Sequence, residues 1–508
     1  MNIKLVLQRM IYSEGMNPLQ HSVIFAITFF SFLDAMTTVV SYFPKLVKSF
    51  GASEVQAGKD AGLLSSSLFF SRIFSSILWG YFADKYGKKK LLFISSNCIA
   101  ISTFAFGFSR TFTWAFVTRL LQGASMGVVV IAKSLIIDNC DDTNISLAFS
   151  ILLTGYYLGL IIAPSLSGVL VFPAEQYPKA FSKGWFFSEY EIFLPNFLIS
   201  ICFVLAIVWG YFLIPESRNV YKPDEICLNK KDIIELKTTK EPEDCFMNHS
   251  INTNDYKNAE KSSLLRENQN IKSFLYRLNL VLRKSSFIRI LRSKESFSSV
   301  MLYGLYGVVG TGVAQFLPSF LATSRDYGGA GMTVLDIGIM LFVSSILVLI
   351  APLGTSKLQF WLGAKKTFVG STIIFAFMVV LLPSSASPKN SILRWILLLI
   401  VQVLIDVVNN ACFISINIFL GNSVEPDLLG TINGFGMSIS CIGRAIGPAI
   451  FGLSYSWSLS NIEQHKLGFP FNQYFVFFLI SIVCLLNGAY VYWLIPSTLN
   501  KRKVLSEN

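Results

Sequence analysis

Residues 79–90 read WGYFADKYGKKK, a single short turn that holds one aspartate, four lysines and two glycines between two long apolar runs. What the turn means depends on the solvent around those runs. The chain has 508 residues, 53% hydrophobic and only 14% charged, where an ordinary soluble domain carries roughly 25% charged residues. Apolar runs of about 18 residues or more, long enough to cross a hydrocarbon core of roughly 30 Å, recur along the whole chain. Twelve are read, with cores at 22–44, 61–83, 91–109, 113–136, 147–171, 191–214, 298–322, 334–354, 367–384, 393–420, 428–455 and 471–495. The expected class is an all-α integral membrane protein of twelve transmembrane helices in two six-helix bundles.

Lysine and arginine in short loops mark the cytoplasmic side. With the N terminus there, that side receives Lys4, Arg9, Lys85, the Lys88, Lys89 and Lys90 cluster, the central polar segment, and Lys501, Arg502 and Lys503. Lys45, Lys48, Lys59, Lys179 and Lys183 fall opposite, interspersed with acids, so both termini are expected to be cytoplasmic. The expected organisation is a cytoplasmic segment 1–21, a bundle 22–215, a linker 216–296, a second bundle 297–496 and a tail 497–508. The start of the chain has no apolar core followed by a small-residue cleavage site, so no removable signal is expected. Residues 271–293 place basic residues between apolar ones at helical spacing, which suits either an amphipathic helix on the inner leaflet or a solvated helix. Sequons at Asn144 and Asn248 fall on the cytoplasmic side and are expected to stay unglycosylated.

The net charge of +12 lies mostly in loops on one side, which argues against a nucleic-acid partner. Eight cysteines (Cys98, Cys140, Cys202, Cys227, Cys245, Cys412, Cys441, Cys484) are scattered without a CxxC and read as small core hydrophobes. His21, His249 and His465 lie at span ends or in loops, so neither a histidine relay nor a metal site is read, and no cofactor is expected.

The two halves echo each other. The fifth span contains GLIIAPSLSG, with Gly159, Pro164 and Gly168, and the eleventh contains GRAIGPAIFG, with Gly443, Gly447, Pro448 and Gly452, 284 residues on. The turn FWLGAKKT repeats DKYGKKKL with Gly363 in the place of Gly87, 276 residues on, although Phe360 stands where Asp84 would correspond. Internal repetition of this kind marks secondary transporters, in which related bundles rock around a midplane site.

The opening turn resembles the signature G-x-L-A-D-R-x-G-R-K of the major facilitator superfamily, with Phe82 for leucine and lysines for arginines. Gly80 would admit a neighbouring helix, Gly87 would allow the tight turn, and Asp84 would meet a lysine or a helix N-terminus. Together with Lys88 they form a latch that closes the cytoplasmic side in one state; the plainer reading is a cluster that only enforces topology. Asp138 is either the third member of that latch or a solvated helix end beside Asp141 and Asp142. SILWGYFADKYGKKK, RLLQG, GYYLGLIIAPSLSG, PAEQYP followed by FLPN, YGGAGM and GTINGFGMSISCIGRAIGPAIFGLSYSWS resemble the zinc induced facilitator-like group, over nearly all of both bundles. The fifth span departs from the antiporter pattern G-x-x-x-G-P-x-x-G-G at Ala163 and Ser167, while keeping the small residues that close helix packing needs.

A carboxylate near the bilayer centre costs about 2.5–3.5 kcal/mol on insertion scales, so each one asks for a partner or a purpose. Asp34, in FSFLDAMTT, and Asp406, in VQVLIDVVNNACF, are such residues. Each is either a proton carrier or half of a static pair with Arg119, Lys133 or Arg444. Arg119, in an R-x-x-x-G-like fourth span, joins them as a coupling candidate. Gln122, Gln315, Asn409 and Asn410 are read either as cavity groups or as hydrogen-bonded glue between helices.

The resemblance implies a transporter, not an enzyme, that moves a small organic solute, such as a metal chelator, an organic anion or a drug, or potassium, by alternating access in exchange for protons. The expected partners are that solute, protons and the lipid bilayer, and the expected state is a monomer in a plasma or vacuolar/lysosomal-type membrane. The rivals are an uncoupled facilitator of the same fold and a transporter-like receptor or scaffold. No nucleotide-binding loop or nucleophile constellation is present to suggest ATP-driven transport.

Overall fold

The computed structural model describes residues 18–38, 41–139, 145–181, 186–215, 286–348, 351–424, 429–464 and 467–500. All regular structure among them is helical. In the first half the longer helices are α1 (Pro18–Met36), α2 (Glu54–Tyr86), α3 (Lys88–Gly107), α4 (Phe112–Ser125), α5 (Val128–Asn139), α6 (Ile145–Leu170) and α7 (Phe193–Leu213). The second half has α8 (Lys294–Ala322), α9 (Val334–Val348), α10 (Ala351–Ala386), α11 (Ser391–Asn422), α12 (Leu429–Glu463) and α13 (Phe475–Leu494). Among the described residues, eight helical stretches are long and apolar enough to cross a membrane. Three shorter apolar stretches lie at 20–36, 154–170 and 334–348.

Four elements differ from the sequence reading: the first span, expected to reach 44, ends at Met36 before a separate short helix Phe43–Ser49, the eleventh, expected to end at 455, runs on to Glu463, and two others are interrupted. The fourth span is broken: α4 ends at Ser125 and α5 begins at Val128. Side chains of neighbouring spans satisfy the freed backbone. Trp79 Nε1 donates to Ala124 O at 2.8 Å, Ser95 Oγ donates to Ser125 O at 2.7 Å, and Gly127 N donates to Ser95 Oγ at 3.0 Å. Within a membrane an interrupted helix persists only where neighbours supply such partners. The other interruption is in α10, which runs through Gly363, whose φ of 80° and ψ of 156° divide it in two. Residues 334–348 and 351–362 supply the eighth span and 364–386 the ninth, so the eighth extends past its expected end at 354.

Gly87, with φ 98° and ψ 131°, and Gly363 adopt nearly the same backbone conformation, one open to glycine. The repeated turn is therefore a repeated geometry. At the second copy Lys365 N donates to Asn500 Oδ1 at 3.0 Å, and Asn422 Nδ2 donates to Leu499 O at 2.8 Å, so residues after the last span cap the ninth. We expect Asn500→Ala to cost about 1 kcal/mol, the usual price of a lost N-terminal cap, read as a lower melting temperature in detergent, with Asn500→Asp near wild type. Equal loss in both variants would show that the cap contributes nothing.

Within the first half α1 packs on α6, α2 on α4 and α3 on α7; within the second, α8 packs on α12 and α10 on α11 and α13. The halves meet along two seams, α2 with α12 and α6 with α9. At both seams backbones touch through glycine. A Cβ on Gly338 would lie 2.9 Å from Pro164 O and 3.0 Å from Gly168 Cα. On Gly62 it would lie 2.5 Å from Pro448 O and 3.2 Å from Gly452 Cα. These contacts are symmetry mates: Pro164 and Pro448, like Gly168 and Gly452, stand 284 residues apart, while Gly62 and Gly338 stand 276 apart, the spacing of Gly87 and Gly363.

Polar contacts across the halves cluster at the same end. Lys48 Nζ, held by an ion pair with Glu54 of its own half at 2.6 Å, reaches across to Ala322 O at 3.5 Å, and Gln315 Nε2 donates to Thr38 O at 3.5 Å. Val334 packs in one apolar cluster with Tyr42, Phe43, Leu46 and Leu64. Farther along α12 the fit relaxes, since a Cβ at Gly434 would meet nothing within 4 Å. The halves are thus sealed at the end that carries residues 41–53 and 323–333.

Residues 221–293 form a separate unit. Its described part includes a short helix, Ser286–Arg292, ending in Arg289 and Arg292. The rest of the expected amphipathic segment, 271–285, lies outside the described residues, as do Asn144 and Asn248.

Candidate functional site

Asp34 lies near the end of α1 with no exposed surface. Its partner is a residue the sequence reading passed over: Arg72, near the middle of α2 and 3% exposed, brings Nη2 to 3.7 Å from Asp34 Oδ2. Neither carboxylate oxygen accepts a hydrogen bond from a described residue. Arg72 also directs Nη1 to Met126 Sδ at 3.5 Å, in the break between α4 and α5. The signal for Arg72 was present as a lone arginine inside the apolar run 61–83; what hid it was the choice of partners for Asp34, drawn from the fourth and eleventh spans alone.

Around this pair stand two more cations. Lys133 on α5 and Arg444 on α12 are both half-buried, and Lys133 lies within electrostatic reach of Arg72 and Arg444. Arg72 in turn lies within reach of Arg444, and Tyr156 on α6 within reach of Arg72, Arg444 and Asp34. The Arg444 guanidinium lies 5.9 Å from the Phe413 ring centroid. No described residue forms an ion pair with Lys133.

Arg119 sits elsewhere, 2% exposed near the sealed end. Its guanidinium is flanked by the rings of Phe43 at 4.7 Å and Phe106 at 5.2 Å. Nη1 donates to Thr37 O at 2.8 Å and to Gln122 Oε1 at 2.7 Å, and Gln122 Nε2 donates to Thr103 Oγ1 at 2.7 Å. Both residues belong to one buried network within the first half, and Asp34 pairs with Arg72 in place of Arg119.

In the second half Asp406 accepts from Gln402 Nε2 at 2.9 Å, with the Ser344 hydroxyl beside it, and no described cation pairs with it. Asn409 Oδ1 accepts from Tyr306 OH at 2.7 Å, whereas buried Asn410 Oδ1 accepts from no described residue. Gln315 belongs to the sealed end, with Oε1 buried and accepting from no described residue. None of these groups donates a hydrogen bond to the Asp34 carboxylate.

Among the proposed latch residues, Gly87 makes the turn, and Lys88, nearly buried, donates to Ser134 O at 3.4 Å. Asp84 and Asp138 lie in the last turns of α2 and α5, and their side chains fall outside the description. The close approach expected at Gly80 is absent, since a Cβ there would meet Val130 Cγ1 at an ordinary 3.7 Å. Spans two and four instead touch at Gly123 of RLLQG, where a Cβ would lie 2.8 Å from Leu68 C. The packing glycines act as their small size suggests: Gly159 meets the α1 backbone at Phe32, Gly443 the α8 backbone at Gly304, and Gly447 that at Val308. The described cysteines, Cys98, Cys202, Cys412, Cys441 and Cys484, are free thiols, and no group of three His, Cys, Asp or Glu converges among the described residues.

Two related helical halves, sealed together at one end and holding buried charges between spans, are the architecture of a multi-pass membrane transporter. The family model of the Major Facilitator Superfamily matches residues 24–448, and the chain belongs to that superfamily, whose fold is that of secondary transporters. It is 27% identical to Protein ZINC INDUCED FACILITATOR-LIKE 1 of Arabidopsis thaliana over 85% of this chain and 82% of that one. It is 25% identical to the major facilitator superfamily multidrug transporter mfsB of Aspergillus fumigatus, over 79% of this chain and 72% of the relative. Among solved structures it resembles the D-xylose-proton symporter, with a TM-score of 0.64 and 14% identity over 95% of this chain and 99% of that one. A bacterial homologue of the human lysosomal transporter Spinster, in an inward-facing and unoccupied conformation, gives 0.60 and 16% over 97% and 100%. These likenesses establish the fold.

Proposed function

We propose that the protein moves a small organic solute across its membrane in exchange for protons, alternating between states open to either side, with Asp34 and Asp406 as proton carriers. The observation that carries this reading is the Asp34–Arg72 pair. A buried ion pair that serves structure alone needs close geometry and satisfied oxygens to offset its desolvation. Here the charges stand 3.7 Å apart and neither oxygen accepts a hydrogen bond from a described residue, as suits a carboxylate that changes partners during a cycle. With both termini in the cytoplasm, the sealed end is the outer one and the state is inward-facing. The membrane in question is a plasma or vacuolar/lysosomal-type membrane.

The same pair favours a second reading for an anionic solute. A proton on Asp34 releases Arg72, so proton and anion would bind together and travel together, giving cotransport.

The test uses protein in proteoliposomes with an internal pH dye and an inward solute gradient, over a panel of metal chelates, organic anions and potassium. Exchange raises the internal pH as solute enters; cotransport lowers it. In either case we expect Asp34→Asn to abolish the solute-dependent pH change. Solute flux with no pH change would identify an uncoupled facilitator, and binding without flux a receptor or scaffold; either result refutes proton-coupled transport.

A further inference from the structure

We propose that Asn97 marks a dimer seam, in which α3 packs against α3 of a second copy of this chain across a two-fold axis and the two Asn97 amides hydrogen-bond each other. α3 has 20 residues, Lys88 to Gly107, and so is about 30 Å long, which places Asn97 at the middle of the hydrocarbon. Its side chain is exposed and makes no hydrogen bond to a described residue. That exposed face does not line the space between the halves. α3 packs on α2, α4, α5 and α7, all of the first half, whereas the seams with the second half are made by α2 and α6. The surface around Asn97 is apolar. Ile94 and Ile101 are exposed on α3, and α7, which bonds through Ser200 Oγ to Ala100 O at 3.0 Å, exposes Ile201, Val204 and Leu205 alongside. An amide in hydrocarbon with neither water nor a partner is costly, so this one calls for a partner from outside the chain.

The repeat shows that the fold itself asks for no amide here. The residue 276 positions on, the spacing of Gly87 and Gly363, is Ile373, which is 55% exposed. The chemistry of the amide then selects the occupant. A carboxamide carries one oxygen that accepts and two N–H groups that donate, so it is its own complement, and a two-fold axis sets each residue opposite itself. Ile94, Asn97, Ile101 and Phe104 form an exposed stripe at spacings of three, four and three residues, the seam of a left-handed helix pair, in which a single polar residue fixes register. Lys90, one turn before Ile94, stands at the headgroup level, where its long chain bends toward lipid phosphate. No second-half helix takes part in the seam, so the contact leaves the halves free to rock.

The test counts copies. Full-length protein with one fluorophore at its C terminus is reconstituted in phosphatidylcholine vesicles over a range of protein-to-lipid ratios, and photobleaching steps give the dimer fraction. Wild type is expected to dimerise above the random co-occupancy of vesicles. Asn97→Ile, which copies the second half, is expected to weaken association roughly three- to tenfold, the range of interhelical hydrogen bonds in membranes, and Asn97→Gln to retain it. Both variants are expected to melt as wild type does, because the side chain packs on nothing within its own copy. A photoreactive benzophenone side chain placed at Ile101 is expected to cross-link two copies, and one placed at Ile373 to cross-link none, a comparison that stands even should Asn97→Ile not fold. A monomer at every ratio overturns the dimer. Dimerisation unchanged in Asn97→Ile overturns the seam, as does cross-linking from Ile373 in place of Ile101. A chain that is monomeric in vesicles yet cross-links from Ile101 to a different protein in its native membrane assigns the amide to that protein and overturns self-pairing.

Discussion

Gly338→Leu is expected to abolish transport while leaving a folded protein, with the halves held apart at the end that is sealed here. The argument is steric. Any side chain at residue 338 must begin with a Cβ 2.9 Å from Pro164 O and 3.0 Å from Gly168 Cα, and those neighbours are backbone atoms that cannot rotate away. The clash falls between the halves and spares the interior of each, so the relief is separation of α6 from α9. Gln315, which reaches Thr38 O across the sealed end, supplies the reporter. In Gln315→Cys the thiol is expected to react slowly with a membrane-impermeant reagent, and in Gln315→Cys/Gly338→Leu roughly tenfold faster or more, the factor that about 1.4 kcal/mol of shift between states provides. Gly62→Leu, at the symmetry-related seam against Pro448 and Gly452, is expected to behave alike. Unchanged reactivity with retained flux would mean that the glycine seams are not the seal.

Arg119→Ala is expected to have the largest effect on stability. The side chain is among the largest that are fully buried, and its removal leaves a cavity between Phe43 and Phe106. It also leaves Thr37 O and Gln122 Oε1 without their donor. A cavity from a large side chain costs about 3–5 kcal/mol, and a stranded buried acceptor roughly 1–3 more. A sharp fall in melting temperature in detergent is expected, together with loss of monodisperse protein. Arg119→Lys keeps the charge but loses the planar stack and is expected to fall between wild type and alanine. A stable Arg119→Ala whose pH dependence alone has changed would reject the structural role and restore Arg119 to the coupling path.

The fold class was legible because a hydrocarbon solvent leaves few solutions. Long apolar runs must be helices, their backbone bonds must close internally, and a repeated turn such as those at Gly87 and Gly363 implies repeated halves. The resemblance carried by WGYFADKYGKKK, PAEQYP and YGGAGM pointed to the same superfamily as the family match. The interrupted fourth span was not legible. Hydropathy averages over Met126 and Gly127, and the break is tolerated only through Ser95 and Trp79, which come from other spans. Gly80 shows the converse. Its place in a signature suggested a close approach that Gly123, on the partner helix, in fact makes.

By itself the sequence determined that this is a twelve-span, two-bundle membrane protein with buried carboxylates at Asp34 and Asp406, because periodicity, length and charge are properties of residues along one chain. Only the tertiary structure decided which charges meet. Asp34 faces Arg72 and not Arg119, Lys133 lies near Arg72 and Arg444, and Gly62 and Gly338 lie against the backbones of Pro448 and Pro164. The physical reason is rotational. A span's apolar composition is indifferent to rotation about the helix axis, and that rotation, set by packing against helices distant in sequence, selects each buried residue's neighbour.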